Sequence, residues 1–368
     1  MNASTSGPAP ANASWPEVDA DRIERICVIG WGLVGDLFIR IPLIEALRAR
    51  FPAAEISVIV DPHGTEVLAN HPACNRVLAV GRSKRPLLPY LRRALGTALR
   101  LRRERIDVSI DLYGGGSSAA ATLLINARWR IGFNTRRRLR IANNVLVPPA
   151  SPCMHWSQGL GIALEPLGIR TSTIRRGTSY YCTASSRITA KNILAGREKA
   201  KLIAFNLGAG DPRKCWPVPR FVSLAQLLQA HYGAIPVVFR NPGQEHLAEQ
   251  FASRFGGDMV RLPRLPLDVV AAVQEQCHAI VTGDSALMHL AIGLKRPVLA
   301  LFTFTRPEAV QPDDCPFIAC MRENHALVDE CGRSKPNTDL PVDLVYASYE
   351  ELERVIGATA GAREGAGC

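Results

Sequence analysis

Residues 25–35 read RICVIGWGLVG, and residues 36–51 continue as DLFIRIPLIEALRARF. The first part is a short apolar run that ends in closely spaced glycines, which is typical of a strand followed by a tight turn. In the second part, apolar residues recur every three or four positions, the period of an amphipathic helix. The stretch therefore predicts a strand, a glycine loop and a helix, the unit from which parallel α/β sheets are built.

The same alternation continues along the chain and then restarts. In the first half, strands are predicted at 55–60, 76–80, 106–112 and 130–133, and helices at 87–103 and 117–126. In the second half, strands at 201–207, 235–239, 279–282 and 297–302 alternate with helices at 220–231, 245–255, 268–276 and 285–293. We predict an α/β protein with two doubly wound, Rossmann-like halves that bind ligands in the cleft between them, at the carboxyl ends of their strands.

Composition narrows the class of protein. The chain has 368 residues, of which 47% are hydrophobic, so it can form real cores and is not disordered throughout. It contains no uncharged apolar run of about 18 residues, which argues against a membrane-spanning protein. Residues 1–21 are rich in Ser, Ala, Pro and Asn and lack the basic and apolar regions of a signal peptide. We therefore expect a disordered tail and a cytoplasmic location.

The ten cysteines form no CxxC pair, so we expect thiols rather than a disulfide framework. Cys315, Cys320 and Cys331 are the one cluster in the sequence. Their irregular spacing favours plain thiols over a metal site, but both interpretations stay open.

Positive charge is concentrated in one segment. Residues 82–140 contain fifteen Lys or Arg and three acidic residues, a net charge of +12 in a chain whose total is +11. Such a field attracts anionic partners, of which phosphorylated lipids or membrane headgroups fit better than nucleic acid, because no nucleic-acid-binding motif occurs and few aromatics separate the arginines. Four arginines at the end of the segment are the candidate anion ligands: Arg136, Arg137, Arg138 and Arg140.

The first glycine loop allows two interpretations. Gly30, Gly32 and Gly35 match GxGxxG after a predicted strand, and Asp61 stands where a ribose-binding acid is expected, so the loop could bind a dinucleotide. Asp36 argues against this, because its carboxylate would lie at the helix start and repel a pyrophosphate. Asp36 could cap the helix or act as a general base.

Two loops in the second half could bind an anion. After the strand at 201–207, small residues and Lys214 could accept a phosphate, although a solvated lysine on a surface loop would look the same. Residues 283–289 read GDSALMH and would place the amides of 285–287 at a helix start. His289 could reach the same anion, and Asp284 could cap the helix or bind sugar hydroxyls. Glu245 could contact a ribose or simply favour the helix dipole.

Together these motifs resemble glycosyltransferase family 9, the bacterial ADP-heptose:lipopolysaccharide heptosyltransferases. The similarity covers most of the chain and is most specific in VTGDSALMHLAIGLKRPVLALF, residues 281–302. The resemblance implies a GT-B fold with an acceptor domain at 22–175, a nucleotide-sugar domain at 176–345, and a C-terminal helix and tail at 346–368 that return to the first domain. It also implies an inverting transfer of heptose from ADP-L-glycero-D-manno-heptose without a metal or other cofactor.

The resemblance assigns roles by position. Asp36 corresponds to the general base, and Lys214 to the lysine that contacts the donor phosphate and sugar. The donor-binding candidates are Gly208, Gly210, Glu245, Asp284, Ser285, Ala286, Leu287 and His289. The implied partners are a nucleotide-sugar donor, an anionic glycolipid acceptor and the cytoplasmic face of the inner membrane, with no nucleic acid.

Two other hypotheses stay open. The family often has hydroxyl residues where Ala209 and Gly210 stand, and Ala286 replaces the usual glycine. The donor site could therefore be vestigial, in a non-catalytic module that binds acidic lipid or polysaccharide. Alternatively, the first glycine loop could serve an NAD-dependent dehydrogenase.

Overall fold

The computed structural model describes residues 18–19, 22–80, 87–133, 141–149, 151, 154–321 and 340–365. The described residues form two compact units that divide between Arg176 and Gly177, next to the predicted boundary. Only Val18 and Asp19 of the predicted tail are among them.

The first unit is a parallel sheet with helices on its faces. Its strands are β1 (Arg25–Ile29), β2 (Glu55–Val60), β3 (Arg76–Ala79), β4 (Val108–Asp111), β5 (Trp129–Phe133) and β6 (Val145–Val147). Its helices are α1 (Val34–Arg50), α2 (Thr65–Leu68), α3 (Leu87–Arg103), α4 (Gly116–Ile125) and α5 (Trp156–Gly161). The strand order is β3-β2-β1-β4-β5-β6, and every described pairing is parallel.

Helices cover the first sheet because its strands are apolar on both faces. Four of the five residues of β1 are buried, as are five of the six in β2. In α1 the predicted periodic residues Leu37, Ile41 and Ile44 are buried. A separate cluster holds Ala98 of α3 and Ile125 of α4 against Cys27 and Ile29 of β1, so α3 and α4 lie on the same face of the sheet.

The second unit repeats this architecture. Its strands are β7 (Leu202–Asn206), β8 (Ile235–Val238), β9 (Val260–Arg261), β10 (Ala279–Gly283), β11 (Val298–Leu301) and β12 (Phe317–Cys320). Its helices are α6 (Ala184–Ile193), α7 (Val218–Tyr232), α8 (Glu245–Phe255), α9 (Leu267–Gln276), α10 (Ala286–Gly293) and α11 (Val342–Gly365). The order is β12-β11-β10-β7-β8-β9, again parallel throughout the described pairings.

The last helix belongs to the second unit. Val345, Tyr349 and Leu352 of α11 are buried in the core of that unit, and α11 packs on α7, β11 and β12. That residues 346–368 return to the first domain stays a prediction, because these contacts describe only how the helix packs within its own unit. Residues 366–368 lie outside the described range.

One charged cluster holds α11 against the amino ends of the central strands. Oε1 of Glu353 lies 2.7 Å from Nζ of Lys201, just before β7, and 2.9 Å from Nε2 of His278, just before β10. The Tyr349 hydroxyl donates to the same carboxylate. Burial raises the pKa of the Glu353 carboxyl, but Lys201, Tyr349 and His278 outweigh it, so the pKa lies below its ordinary 4.5. The carboxylate therefore stabilises the fold in its charged form.

We expect Glu353→Gln to lower the free energy of unfolding at neutral pH by about 1–3 kcal/mol, because a charged hydrogen-bonding group loses its partners. A carboxyl with a lowered folded pKa contributes fully above its unfolded pKa and loses that contribution as the pH falls through the folded value. The difference from the unmodified protein should thus shrink in acid, below pH 4.5. Urea unfolding at several pH values measures it, with the exposed Glu351→Gln on the same helix as control. Equal losses in both variants would contradict the assignment.

Candidate active site

The strand order of the second sheet has a switch point at its two central strands, β7 and β10. From β7 the chain continues to β8 on one side, whereas β10 lies on the other side. Doubly wound sheets bind ligands at such a switch in strand order. Asn206 ends β7 and Gly283 ends β10, so both predicted anion-binding loops of the second half begin at this switch point.

An ion pair joins the two loops. Nζ of Lys214 lies 2.6 Å from Oδ2 of Asp284, a residue that is only 8% exposed. The Thr305 hydroxyl, in the segment after β11, donates to the same oxygen at 2.6 Å. Gly283 permits the approach, because a Cβ there would lie 2.6 Å from the backbone oxygen of Lys214. The structure thus brings the predicted residues Lys214 and Asp284 together.

Asp284 is ionised in this cluster. Burial raises the pKa of its carboxyl, but Lys214, His289 and the hydrogen bonds from Lys214 and Thr305 outweigh that effect, so the pKa lies below its ordinary 3.8. His289 is 7% exposed and lies inside α10, where it acts electrostatically on Asp284. The carboxylate holds the lysine cation at the carboxyl end of the second sheet, and phosphate binding by Lys214 stays a prediction.

Asn206 links the central strands beneath this ion pair. Its Nδ2 donates to Thr282 Oγ1 at 3.0 Å and to Ser285 Oγ at 2.8 Å, and its Oδ1 accepts from Asn241 Nδ2 at 2.7 Å. The network fixes the ends of β7, β8 and β10 relative to one another. The sequence patterns do not single out Asn206 or Thr305, although Asn206 ends an apolar strand, Thr305 follows one, and both carry polar side chains.

Ser285 starts α10. Its Oγ accepts from the N–H of Met288, which makes Ser285 the N-cap of that helix. Ala286 and Leu287 occupy the first turn, where the N–H groups have no carbonyl partner within a helix. The predicted anion-binding amides therefore lie at a helix start beside Asp284, as expected from the sequence.

The glycines of the loop after β7 have different roles. A Cβ on Gly208 would lie 2.1 Å from Oε1 of Gln244, so Gly208 lets that side chain pack on the loop. Gln244 Nε2 in turn donates to the Ala209 carbonyl at 2.8 Å. A Cβ on Gly210 would meet no described atom within 4 Å, so this exposed position leaves open space above the loop.

Glu245 lies at the first position of α8, after β8. Hydrogen bonds from its own backbone N–H and that of Gly243 hold the pKa of Glu245 below its ordinary value, and Arg240 and Arg264 act in the same direction. Its side chain is half-buried, and its carboxylate stabilises the start of the helix. The geometry accounts for Glu245 as a helix-start residue, and contact with a ribose stays a prediction.

In the first unit, Asp36 lies in the first turn of α1 with its side chain exposed. Its Oδ2 accepts the N–H of Leu33 at 2.9 Å, which confirms the capping interpretation and leaves the role of base open. Gly32 has a φ of +148°, and a Cβ there would lie 2.7 Å from Asp36 Oδ2. Arg40, buried behind the loop, donates to the carbonyls of Gly30 and Trp31 at 3.0 and 2.5 Å.

The contacts of this loop do not favour a dinucleotide. Asp61 Oδ2 accepts the Gly32 N–H at 3.0 Å, and Asp36 takes the N–H of Leu33. The amides that would bind a pyrophosphate are thus bonded to carboxylates, which would also repel it. Nothing described in the structure supports the dehydrogenase hypothesis.

Some predicted residues cannot be placed. Arg136, Arg137, Arg138, Arg140 and Cys331 lie outside the described residues. Cys320 is buried in β12 and Cys315 is partly buried; burial raises the pKa of the Cys315 thiol to about 12. Within the described ranges, no three His, Cys, Asp or Glu side chains are grouped in a way that could hold a metal ion.

Comparison with known proteins identifies the family. The sequence profile described as "Glycosyltransferase family 9 (heptosyltransferase)" matches residues 92–328. The chain belongs to glycosyltransferase family 9. This family 9 enzyme is 27% identical to lipopolysaccharide heptosyltransferase 2 of Escherichia coli K12, over 78% of the chain and 85% of that protein. It is 24% identical to lipooligosaccharide heptosyltransferase 2 of Haemophilus influenzae, over 78% and 86%.

Solved structures give the same fold for this family 9 glycosyltransferase. A family 9 glycosyl transferase from Veillonella parvula superposes with a TM-score of 0.80 at 21% identity, covering 89% of this chain and 97% of that one. E. coli ADP-heptose lps heptosyltransferase II superposes with a TM-score of 0.73 at 21% identity, covering 89% and 98%. The predicted GT-B fold is confirmed. In the part of the chain that is described, no helix is both long enough and apolar enough to span a bilayer.

Proposed function

We propose that this enzyme transfers heptose from ADP-L-glycero-D-manno-heptose to an anionic acceptor of the lipopolysaccharide-core type, with inversion at the anomeric carbon. The observation that carries the proposal is the Lys214–Asp284–Thr305 cluster beside the start of α10, at the switch point of the second sheet. Relatives named as lipopolysaccharide heptosyltransferases supply the sugar and the acceptor class.

The reaction is a single in-line displacement. An acceptor hydroxyl oxygen attacks C1 of the heptose while the bond from C1 to the ADP oxygen breaks, and ADP leaves with the bonding electron pair. Asp36 takes the hydroxyl proton, which its exposed carboxylate can accept. Lys214, His289 and the first amides of α10 stabilise the growing negative charge on the diphosphate, so the step needs no metal ion.

Asp284 positions the cation for this step. Its ionised carboxylate holds Nζ of Lys214 at 2.6 Å and can also accept hydrogen bonds from sugar hydroxyls. Thr305 donates to the same carboxylate oxygen at 2.6 Å and so helps to fix its position. Ala209 and Gly210 offer no side-chain hydroxyl to a phosphate, and a Cβ at Gly210 would meet no described atom within 4 Å. We propose that the backbone amides and Lys214 bear the larger share of donor binding here.

We also propose that the enzyme works as a peripheral protein on the cytoplasmic face of the inner membrane, where a lipid-anchored acceptor would be found. The net charge of +12 between residues 82 and 140 supports attraction to such a surface.

A nucleotide-sugar screen tests the activity. Purified enzyme is incubated with a lipid-core acceptor and ADP-heptose, or with UDP- and GDP-sugars, and the products are analysed by mass spectrometry. We expect addition of one heptose from ADP-heptose alone, with turnover retained in the presence of a chelator. Transfer from another nucleotide sugar would contradict the proposed donor. Loss of turnover on addition of the chelator would contradict the metal-free mechanism. Thermal stabilisation by NAD but not by ADP would favour a dehydrogenase.

A further inference from the structure

Helices α3 and α4 each expose leucines on the side away from the core. On α3, Ala98 and Leu101 are buried, whereas Leu95 and Leu99, one turn apart, are 46% and 38% exposed. On α4, Leu123 and Leu124 are 45% and 37% exposed. Because both helices pack on the same face of the first sheet and against each other, the four leucines lie on one side of that unit. Grouped apolar side chains on a surface mark an interaction site more often than scattered ones do.

Exposed arginines accompany these leucines on α3. The side chains of Arg92, Arg93, Arg102 and Arg103 are all exposed. On an α-helix, positions 92, 95, 99 and 102 are three or four residues apart and share one stripe. The outward stripe of α3 therefore has two leucines between two arginines, with further arginines beside it.

The acidic residues of the basic segment are engaged elsewhere. Glu104 binds Arg76 at 2.7 Å and Arg100 at 3.0 Å. Asp107 accepts the backbone N–H groups of Glu24 and Arg25. Asp111 is 2% exposed and accepts the Ser118 hydroxyl. Apart from Arg100, which pairs with Glu104, the described α3 arginines have no carboxylate partner among these three acids, so their charge is available to an external anion.

The chemistry of this surface fits one kind of partner. A bilayer with acidic headgroups offers phosphates for the arginines and, a few ångströms deeper, an apolar layer for leucines. Nucleic acid would take the arginines but leave the leucines in water, since it binds through phosphates and stacked bases.

We propose that the outer side of α3 and α4 docks on an acidic lipid bilayer, with Leu95, Leu99, Leu123 and Leu124 inserted among the headgroups and the α3 arginines bound to lipid phosphates. This deepens the proposed function by naming the membrane surface of the enzyme. It rests on the proposed function in one respect, namely that a lipid-anchored acceptor gives the enzyme a reason to approach a membrane. Docking itself is measured without donor or acceptor.

Co-sedimentation of the full chain with vesicles tests the proposal. Vesicles contain either phosphatidylglycerol mixed with phosphatidylethanolamine, or phosphatidylcholine alone. We expect binding to the acidic vesicles only, weakened by salt. Arg92→Gln with Arg93→Gln should weaken binding about fivefold per arginine. Leu95→Gln with Leu99→Gln should weaken binding at least tenfold and abolish the part that resists high salt, whereas Ile188→Gln, on the exposed face of α6, should change nothing.

Three outcomes would overturn the proposal: equal binding to both vesicles, unchanged binding of the leucine variant, or equal losses in the leucine and Ile188 variants. Unchanged binding of the leucine variant together with a loss in the arginine variant would indicate electrostatic adsorption without insertion. Transfer to a delipidated acceptor provides the separate readout. The leucine variant should retain transfer activity on the delipidated acceptor. If neither the unmodified enzyme nor any variant shows transfer, the proposed function is refuted, while the vesicle-binding result is unaffected.

Discussion

Asp36→Asn should lower turnover by about 10²- to 10⁴-fold while leaving the affinity for the nucleotide-sugar donor nearly unchanged. An amide cannot take the proton of the attacking hydroxyl, so the loss falls on the chemical step. Asparagine is the informative replacement because the structure gives Asp36 a second role: its Oδ2 accepts the Leu33 N–H at 2.9 Å. The amide oxygen of asparagine can keep that cap, so the variant removes the base and preserves the helix start.

The measurements for Asp36→Asn are steady-state transfer rates and donor binding by calorimetry. Asp61→Asn is the matched control, because Asp61 also bonds an amide of the same loop, the N–H of Gly32. Asp61→Asn should keep most of the turnover if Asp36 acts by accepting a proton and not by adding negative charge to the loop. Asp36→Ala adds the loss of the cap, which costs about 1 kcal/mol of stability. Substantial turnover in Asp36→Asn, or equal losses in Asp36→Asn and Asp61→Asn, would show that Asp36 is not the base.

The sequence predicted the central strands of both sheets and most of the helices, but it missed α2, α6 and the strands at three of the four sheet edges. The strands β6, β9 and β12 each end a sheet. They have two to four residues, and β9 consists of Val260 and Arg261 alone. A central parallel strand is buried on both faces and reads as an apolar run, whereas a short edge strand is held by one neighbour and leaves little pattern. These edge strands form because they pair with the rest of the sheet, and their own sequences carry little strand signal.

The candidate site divides in a similar way. Lys214, Asp284 and the start of α10 could be predicted because each stands in a glycine-containing loop after a strand, which is a local signal. Thr305 and Asn206 could not, because their roles depend on partners far along the chain: Thr305 bonds a residue 21 positions away, and Asn206 one 79 positions away. The order of strands in the second sheet was needed to show that these residues share one edge.

The second large effect is expected at the ion pair. Lys214→Met should lower kcat/KM by about 10²- to 10³-fold, with donor affinity and turnover falling together, since a cation that binds the diphosphate also stabilises its charge as ADP departs. Arg213→Gln is the matched control, because Arg213 is the neighbouring cation of the same loop but is paired with Asp211 at 2.6 Å. Its transfer rate should change little. Losses of equal size in both variants would indicate a general effect of loop charge.

Asp284→Asn separates positioning from charge in the same pair. An asparagine keeps the shape but loses the ionised acceptor that holds Lys214, so we expect a loss close to that of Lys214→Met. If the two residues act as one unit, the double variant should be no worse than the worse single variant, and a double-mutant cycle measures this coupling. Additive losses would assign Asp284 a contact of its own with the sugar.

Thr305 provides the finer measurement at this ion pair. Thr305→Val removes one hydrogen bond to a charged group, a contribution of about 1.5–3 kcal/mol, and should lower kcat/KM about tenfold or more. Thr305→Ser keeps the hydroxyl and should restore most of the activity. Because the pKa of Asp284 lies below 3.8, the carboxylate of the unmodified enzyme stays charged at neutral pH. Without the Thr305 bond, which helps lower that pKa, the acid limb of the pH–rate profile should move to higher pH in Thr305→Val. A purely structural defect would lower the rate without moving the limb.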